Sequence, residues 1–158
     1  PELFVASALR YEGFAAAMRY HDLEIPGCNV ETGNFDVDSG IECARRLLNL
    51  ENPPTAIFAS NDEMAAGVLF AAQEAGIRVP DQLSVAGFDD APISQSVYPK
   101  LTTVRQPLRA MGEKAVELLE SHIRQANSPS AEAPPNNILM DYELVVRDSA
   151  ARPSSNPQ

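Results

Sequence analysis

The segment TAIFASNDEMAAGVLFAAQEAGIRVPDQLSVAGFDD, residues 55–90, contains the pattern that decides the fold. Two short apolar runs, residues 55–59 and 83–88, flank a stretch with helical periodicity at residues 62–75. Runs that are apolar without alternation are typical of strands buried on both faces of a parallel sheet. Gly76 is well placed to end the helix in a left-handed cap. The segment therefore predicts a right-handed strand–helix–strand unit.

Helical and strand-forming segments alternate along the rest of the chain. Further helices are predicted at residues 7–21, 39–50 and 108–125, and further strands at 29–31, 101–105 and 138–146. Residues 126–137 are rich in Ser, Pro and Asn and predict an exposed loop. The alternation predicts an α/β fold with a three-layer parallel sheet and helices on both faces. Since no strand precedes the first helix, we expect this fold to be incomplete.

The composition of the 158-residue chain argues against several classes of function. No apolar run is long enough to span a bilayer. Phosphate binding needs clustered Lys and Arg, and the net charge of −10 with only 12 such residues argues against direct binding of nucleic acid. Cys28 and Cys43 lack the spacing of a metal motif, so we expect unpaired thiols in a reducing cytoplasm rather than a disulfide.

Polar residues follow three of the predicted strands, at the point where each strand ends. They occupy residues 60–62, 89–90 and 105–106. Ligands of open α/β sheets bind beyond the carboxyl ends of the strands, where the loops converge. The three turns together therefore predict a polar binding pocket at one edge of the sheet.

Each of these turns also has a simpler interpretation. Asn61 or Asp62 could merely cap the following helix. The carboxylates at residues 89–90 could bind sugar hydroxyls or a divalent cation, or they could be ordinary solvated turn residues. Either residue at 105–106 could point into a cleft or into solvent. Three turns at one sheet edge favour the pocket more than any one of them does alone.

Catalytic chemistry has little support in the sequence. His21 and His122 lie on predicted helices, far along the chain from any candidate nucleophile turn. The sequence contains no Gly-rich phosphate loop, no nucleophile elbow and no cluster with metal-ligand spacing. We therefore predict a ligand-binding domain that is not an enzyme, with no metal and no cofactor.

Three blocks of sequence, in this order, resemble the LacI/GalR family of bacterial transcription regulators. They are NPPTAIFASNDEMAAG at residues 52–67, AGIRVPDQLSVAGFDD at 75–90 and LTTVRQPLRAMG at 101–112. The pattern Ser-x-x-Arg-x-x-Gly-Phe that starts at Ser7 also matches. Members of this family have an N-terminal helix-turn-helix, a hinge helix and a two-lobed sensor similar to periplasmic sugar-binding proteins.

The resemblance covers only the later part of that sensor and implies a division of the chain. Residues 1–106 would form the C-terminal subdomain of the effector-binding domain, and residues 107–126 a crossover helix that belongs to the missing first lobe. Residues 127–147 would form a loop and the final strand, and residues 148–158 a disordered tail. The apolar stripe of the crossover helix should be exposed, swapped between chains or covered by other residues.

The resemblance also implies particular site residues. The ligand-binding positions would be Arg10, Phe35, Asn61, Asp89 and Gln106. Arg10 would form a bidentate contact with polar ligand oxygens, and Phe35 would stack on a sugar or base face. The dimer interface would include Ala66, Leu69, Phe70, Val97 and Tyr98, although core packing is an equal interpretation for Leu69.

The function implied is the effector-binding and dimerising part of a cytoplasmic transcription regulator, a repressor that senses a sugar or a nucleoside. Operator DNA would be bound only through a headpiece that has no counterpart in this sequence. The alternative is a periplasmic sugar-binding protein of a transporter, which shares the lobe fold. The blocks at residues 79–85 and 101–107 and the pair Asp89-Asp90 favour the regulator. A small α/β enzyme is the third hypothesis.

Overall fold

The computed structural model of the chain describes residues 5–127 and 137–152. It divides into one unit made of Pro1–Val104 with Leu144–Gln158 and a second made of Arg105–Glu143. The helices are α1 (Val5–Tyr20), α2 (Val37–Leu48), α3 (Asp62–Glu74), the single-turn α4 (Ile93–Ser96) and α5 (Leu108–Asn127). The strands are β1 (Ala56–Phe58), β2 (Ser84–Ala86), β3 (Thr103–Arg105) and β4 (Glu143–Val145).

The carboxyl ends of the strands meet at one edge, as the sequence predicts. β1 and β2 are parallel, with Ile57 opposite Val85. An isolated parallel bridge joins Ala86 to Thr102, just before β3, and β3 pairs with β4. This shared edge brings the turns after β1 and β2 together.

Helices lie on both faces of the strand pair. Ile57 belongs to the buried core that α2 and α3 build with the strands. Its neighbour Phe58 instead stacks on Phe14 of α1, with ring centroids 5.6 Å apart. Because successive side chains of a strand point to opposite faces, α1 must cover the face away from α2 and α3. This confirms the predicted layered α/β fold.

Two glycines allow α2 and α3 to pack closely. A Cβ on Gly67 would overlap the Val37 carbonyl and the Ile41 amide of α2, and a Cβ on Gly40 would overlap the backbone of Met64. The helix starts are fixed by side chains: Asp36 accepts a hydrogen bond from the Ser39 amide at 2.7 Å. That cap starts α2 earlier than the apolar periodicity alone predicts.

The strand predicted at residues 29–31 is not formed. Gly27–Asn29 makes a 3-10 turn, and the chain from 30 to 33 is extended but unassigned to any strand. The strand predicted at residues 138–146 is reduced to β4. The predicted loop at residues 126–137 lies mostly outside the described residues.

The prediction of a disordered tail is wrong for residues 148–152. Ser149 is fully buried, and its carbonyl accepts a 2.7 Å hydrogen bond from the Val85 amide. Its hydroxyl donates to the Val85 carbonyl at 2.6 Å and accepts from the Thr102 amide at 2.8 Å. Buried backbone groups require hydrogen-bond partners. Ser149 supplies them to the backbone of Val85 and to the Thr102 amide. The rest of the predicted tail, residues 153–158, lies outside the described residues.

The second unit consists largely of α5. None of its residues is buried, and Leu108, Val116, Leu119 and Ile123 are each more than half exposed. Ion pairs one helical turn apart, such as Arg109–Glu113 at 3.0 Å, support its exposed surface. In the part of the chain that the structure describes, no helix has the length and apolar character needed to cross a membrane.

Candidate functional site

Arg10 and Asp89 form the centre of the candidate site. The Arg10 Nη2 donates to Asp89 Oδ1 at 3.0 Å, and its Nη1 donates to the Ser60 carbonyl. The guanidinium lies over the Phe88 ring, 4.1 Å from the centroid. The Arg10 side chain is 16% exposed and that of Asp89 is 30% exposed. The Arg10 guanidinium therefore joins α1 to the turns that follow β1 and β2. The Asp89 carboxylate that it contacts is still accessible to solvent.

The turn that carries Asp89 has an unusual backbone. Asp89 has φ 112° and Asp90 has φ 54°, a region that side-chain-bearing residues rarely adopt. The Asp89 amide donates to the Val104 carbonyl at 2.9 Å, which fixes the turn beside β3. Such backbone strain persists only where the surroundings hold it, and it is concentrated at ligand sites.

Asp90 has a structural partner of its own. Its carboxylate accepts hydrogen bonds from Arg147 Nη2 and from Ser94 Oγ, the latter at 3.1 Å. The side chains of Asp90 and Arg147 are only 5% and 13% exposed. Asp89 and Asp90 therefore contact different guanidinium groups, those of Arg10 and Arg147. The described residues contain no group of three or more side chains that could hold a metal ion.

A second buried carboxylate, Asp62, supports the same turn. It is 1% exposed and accepts hydrogen bonds from Thr103 Oγ1 at 2.6 Å and from the Ala91 amide at 2.7 Å. Burial raises the pKa of Asp62, the two hydrogen bonds act against that rise, and the nearby carboxylates of Asp89 and Asp90 add to it. A Cβ on Gly87 would overlap the Asp62 carboxylate, so a larger residue there would have to displace that carboxylate.

Asn61 is the helix cap that the simpler interpretation describes. Its Oδ1 accepts from the Met64 amide at 3.0 Å, and its Nδ2 donates to the Phe35 carbonyl at 2.9 Å. With 7% of its surface exposed, Asn61 has little left to offer a ligand directly. It instead anchors Phe35, whose φ of 63° is also left-handed. The sequence does not reveal this contact, because the two residues belong to different loops.

The structure thus brings Arg10, Phe35, Asn61 and Asp89 together along one sheet edge. Arg10 donates hydrogen bonds to both Asp89 and Ser60. Asn61, the next residue after Ser60, donates to Phe35. Gln106, the remaining predicted ligand residue, belongs to the second unit, where its carbonyl accepts from the Leu108 amide at 2.9 Å.

The residues predicted at a dimer interface separate into two groups. Ala66 and Leu69 are 0% and 5% exposed, so both belong to the core and their side chains cannot reach a partner. Val97 also packs against that core. Phe70 and Tyr98 are 43% and 91% exposed. The predicted dimer contact therefore depends on Phe70 and Tyr98 and stays a prediction.

The two thiols are unpaired, as the sequence predicts. Cys28 is exposed and Cys43 is partly buried on α2. Burial raises the pKa of the Cys43 thiol, partly offset by the Arg46 guanidinium beside it.

Comparison with known proteins places this geometry in context. The profile of a periplasmic binding protein-like domain matches residues 3–150. The probable HTH-type transcriptional repressor ExuR of Bacillus subtilis is 40% identical over 151 residues, which is 96% of this chain and 44% of that protein. The HTH-type transcriptional repressor CytR of Escherichia coli K12 is 34% identical, over 94% of this chain and 42% of its own length. The chain thus spans less than half the length of these relatives.

Solved structures show the same similarity. The transcriptional regulator CelR in complex with cellobiose matches 95% of this chain and 44% of its own, at a TM-score of 0.84 and 30% identity. A dimeric Lac repressor with an 11-residue C-terminal deletion matches 98% of this chain and 54% of its own, at a TM-score of 0.83 and 31% identity.

Proposed function

This chain belongs to the periplasmic binding protein-like domain family, in the form found in LacI-family transcriptional regulators, and from that premise we propose that it senses a small polar ligand for a transcriptional repressor. The resemblance inferred from the three sequence blocks is confirmed. The chain matches the effector-binding domain of these repressors, and the alternative of a transporter's binding protein is not favoured.

The paired Arg10 and Asp89 carry the proposal. Arg10 presents a planar array of donors, and Asp89, which it contacts directly, presents carboxylate acceptors. A ligand with vicinal hydroxyls can accept from Arg10 while donating to Asp89. Because 30% of the Asp89 side chain is exposed, a ligand can reach the carboxylate that Arg10 contacts.

A sugar or a nucleoside is the ligand class that fits these groups best. Both have neighbouring hydroxyls for Arg10 and Asp89 and a face on which Phe35 can stack. The CelR regulator, whose structure contains cellobiose, supports the sugar class. The ExuR and CytR relatives are transcriptional repressors, and we propose that this domain likewise binds its ligand without transforming it.

The proposed output is a shift between two states of a homodimer in the cytoplasm. Ligand binding would change the affinity for operator DNA, which is contacted through a separate headpiece. Such coupling requires only that the ligand prefer one state, commonly by about 1–3 kcal/mol.

A calorimetric ligand screen tests this function. Full-length protein is titrated with a panel of sugars and nucleosides, and the best binder is then tested against Asp89→Ala. Loss of one charged hydrogen bond should weaken binding about 10- to 100-fold. The matched control Asp81→Ala, a 68% exposed carboxylate in the pair with Arg78, should leave affinity unchanged.

Two results would contradict the proposal. Equal affinity in Asp89→Ala and the parent would remove Asp89 from the site. Release of a chemically altered ligand, followed by chromatography, would show an enzyme instead.

A further inference from the structure

Three carboxylates, those of Asp62, Asp89 and Asp90, lie close together beside the turn that follows β2. Asp89 contacts the Arg10 guanidinium. Asp90 likewise contacts Arg147. In the part of the chain that the structure describes, Asp62 makes no ion pair, although at 1% exposure it is the most deeply buried of the three. A buried charge without a counterion is costly, so Asp62 is the carboxylate in this group that gains most from taking up a proton.

The Asp62 carboxylate holds the two peptide groups that follow Asp89. Its Oδ2 accepts directly from the Ala91 amide at 2.7 Å. Its Oδ1 accepts from Thr103 Oγ1 at 2.6 Å, and the same hydroxyl oxygen accepts from the Asp90 amide at 3.4 Å. One carboxylate therefore holds consecutive peptide groups of the turn, one directly and the other through the Thr103 hydroxyl.

The turn that Asp62 holds sets the position of the Asp89 side chain. Asp89 has a φ of 112°, a strained conformation that persists only where neighbouring groups hold it. The Asp89 amide is held by the Val104 carbonyl at 2.9 Å, and Asp62 supplies the contacts on the following side. Asp62 is thus placed to determine where the Asp89 carboxylate lies, although it is itself too buried to contact a ligand.

The charged groups that face Asp62 are acidic and come from the turn after β2. Burial chiefly, and then the carboxylates of Asp89 and Asp90, raise the pKa of Asp62. Behind these two carboxylates lie the guanidinium groups of Arg10, from α1, and Arg147, from the segment after β4. The other groups in contact with Asp62, from β3 and from the loop before α4, are the neutral hydrogen-bond donors described above.

We propose that Asp62 is a positioning residue for Asp89 and that its ionisation state controls how firmly the turn is held. When Asp62 is ionised, both of its oxygens accept charge-assisted hydrogen bonds. Protonation removes the charge, and a neutral acceptor holds its donor about half as strongly. The protonated Oδ1 would also donate to Thr103 Oγ1, which reverses the direction of that bond. The Asp89 carboxylate is then less firmly placed.

For the ligand site, this inference rests on the proposed function and adds a dependence on pH. A ligand that donates to Asp89 favours the firmly held turn, so it binds better when Asp62 is ionised. By linkage, its binding should release a proton from Asp62. Because the pKa of Asp62 is raised above 3.8, affinity should increase as pH rises from about 4 toward neutrality.

Hydrogen exchange of the full chain, followed by amide NMR, tests the switch without any ligand. Protection of the Asp90 and Ala91 amides is measured from about pH 4 to about pH 8, and the carboxyl carbon of Asp62 gives its titration midpoint. We expect protection to increase about three- to tenfold through that midpoint. In Asp62→Asn this increase should be absent, and in Asp81→Asn, which changes a 68% exposed carboxylate, it should remain.

The same experiment distinguishes positioning from a contribution to stability alone. Because protonation of Asp62 favours the folded state, protection that reports only global stability should fall as pH rises. The Val85 amide, in the core strand β2, is the internal control for that global change. Turn amides that follow Val85, or that keep their increase in Asp62→Asn, would overturn the proposal.

Variants of Thr103 keep the test decisive if Asp62→Asn fails to fold. Thr103→Val removes the hydroxyl at nearly the same shape, so the increase should be lost at the Asp90 amide and kept at Ala91. Thr103→Ser returns the hydroxyl and should restore the increase at Asp90. Equal behaviour of the Asp90 amide in both variants would overturn the role of the Thr103 hydroxyl and with it the proposal.

Calorimetry separates this inference from the proposed function. Full-length protein and Asp62→Asn are titrated with the panel of sugars and nucleosides at about pH 5 and about pH 7.5. The tightest-binding compound should bind the parent about three- to tenfold better at the higher pH, and Asp62→Asn should lose this difference. An equal difference in both proteins would overturn the proposal. If no compound binds at either pH, the proposed function fails, and hydrogen exchange still decides the role of Asp62.

Discussion

Two consecutive aspartates, Asp89 and Asp90, have different partners in the structure. Asp89 faces Arg10 with 30% of its side chain exposed, whereas the Asp90 side chain is 5% exposed and bonded to Arg147. The sequence correctly placed both at a strand end but could not distinguish them. The distinction depends on Arg147, which lies 57 residues further along the chain.

The Asp90–Arg147 pair should be important for stability because it is largely buried. In Arg147→Ala, the buried Asp90 would lose its guanidinium partner, and breaking a buried ion pair in this way typically costs about 3–5 kcal/mol. Urea denaturation measures this loss. Arg78→Ala, which removes an exposed pair with Asp81, is the control and should change the unfolding free energy by less than about 1 kcal/mol. A similar small loss in both variants would show that the Asp90 pair is solvated in solution.

Asp62 gives the protein a specific dependence on pH. Its pKa in the folded chain is raised above the ordinary 3.8, chiefly by burial. Protonation therefore favours the folded state: this contribution is fully present below the unfolded pKa and is lost as pH rises through the folded pKa. The variant Asp62→Asn lacks this titration.

We expect the melting temperature of the parent, minus that of Asp62→Asn, to fall as pH rises from about 4 toward neutrality. Thermal unfolding in a series of buffers measures this difference. An upward slope would mean that the hydrogen bonds from Thr103 and Ala91 outweigh burial and lower the pKa instead.

At the scale of elements, the contact between α2 and α3 depends on glycine. The Gly67→Ala methyl would meet the backbone of α2 rather than a movable side chain, so the helices would have to separate. Overpacking of this kind costs about 1–3 kcal/mol. In the matched control Gly13→Ala on α1, the Cβ meets nothing within 4 Å, and higher helix propensity should stabilise the chain by up to about 1 kcal/mol. Destabilisation of the same size in both variants, measured by denaturant unfolding, would contradict this account.

The sequence predicted the main elements well because their signals are local. The apolar runs at residues 55–59 and 83–88 and the periodicity of residues 62–75 require no knowledge of the rest of the chain. The strand expected at residues 29–31 did not form, because a strand exists only when a neighbour pairs with it, and no backbone hydrogen bond joins residues 30–33 to another described segment. In the same way, Asn61 rather than Asp62 caps α3, since Thr103 and Ala91 hold the Asp62 carboxylate.

At the scale of the whole molecule, the segment around Ser149 closes the edge of the sheet that β3 does not reach. It pairs with Val85 and Thr102, and Arg147 just before it reaches Asp90. The site turn and the core are thus held by residues near the carboxyl terminus. No local pattern predicts this, because the segment is polar and its partners lie far away in the sequence.

Truncation before Asp148 tests that role. It would leave the Val85 and Thr102 amides buried without partners, at about 1–3 kcal/mol for each group. We expect the melting temperature to fall by roughly 10 °C or more. Truncation after Arg152, which keeps every one of these bonds, is the control and should change the melting temperature by less than about 2 °C.

If both truncated chains have the same melting temperature as the parent, water replaces Ser149 at these amides and the segment does not stabilise the sheet. If only the shorter chain is destabilised, the turn at residues 89–90 depends on the carboxyl-terminal segment, and weaker binding of the proposed ligand should accompany the lower melting temperature.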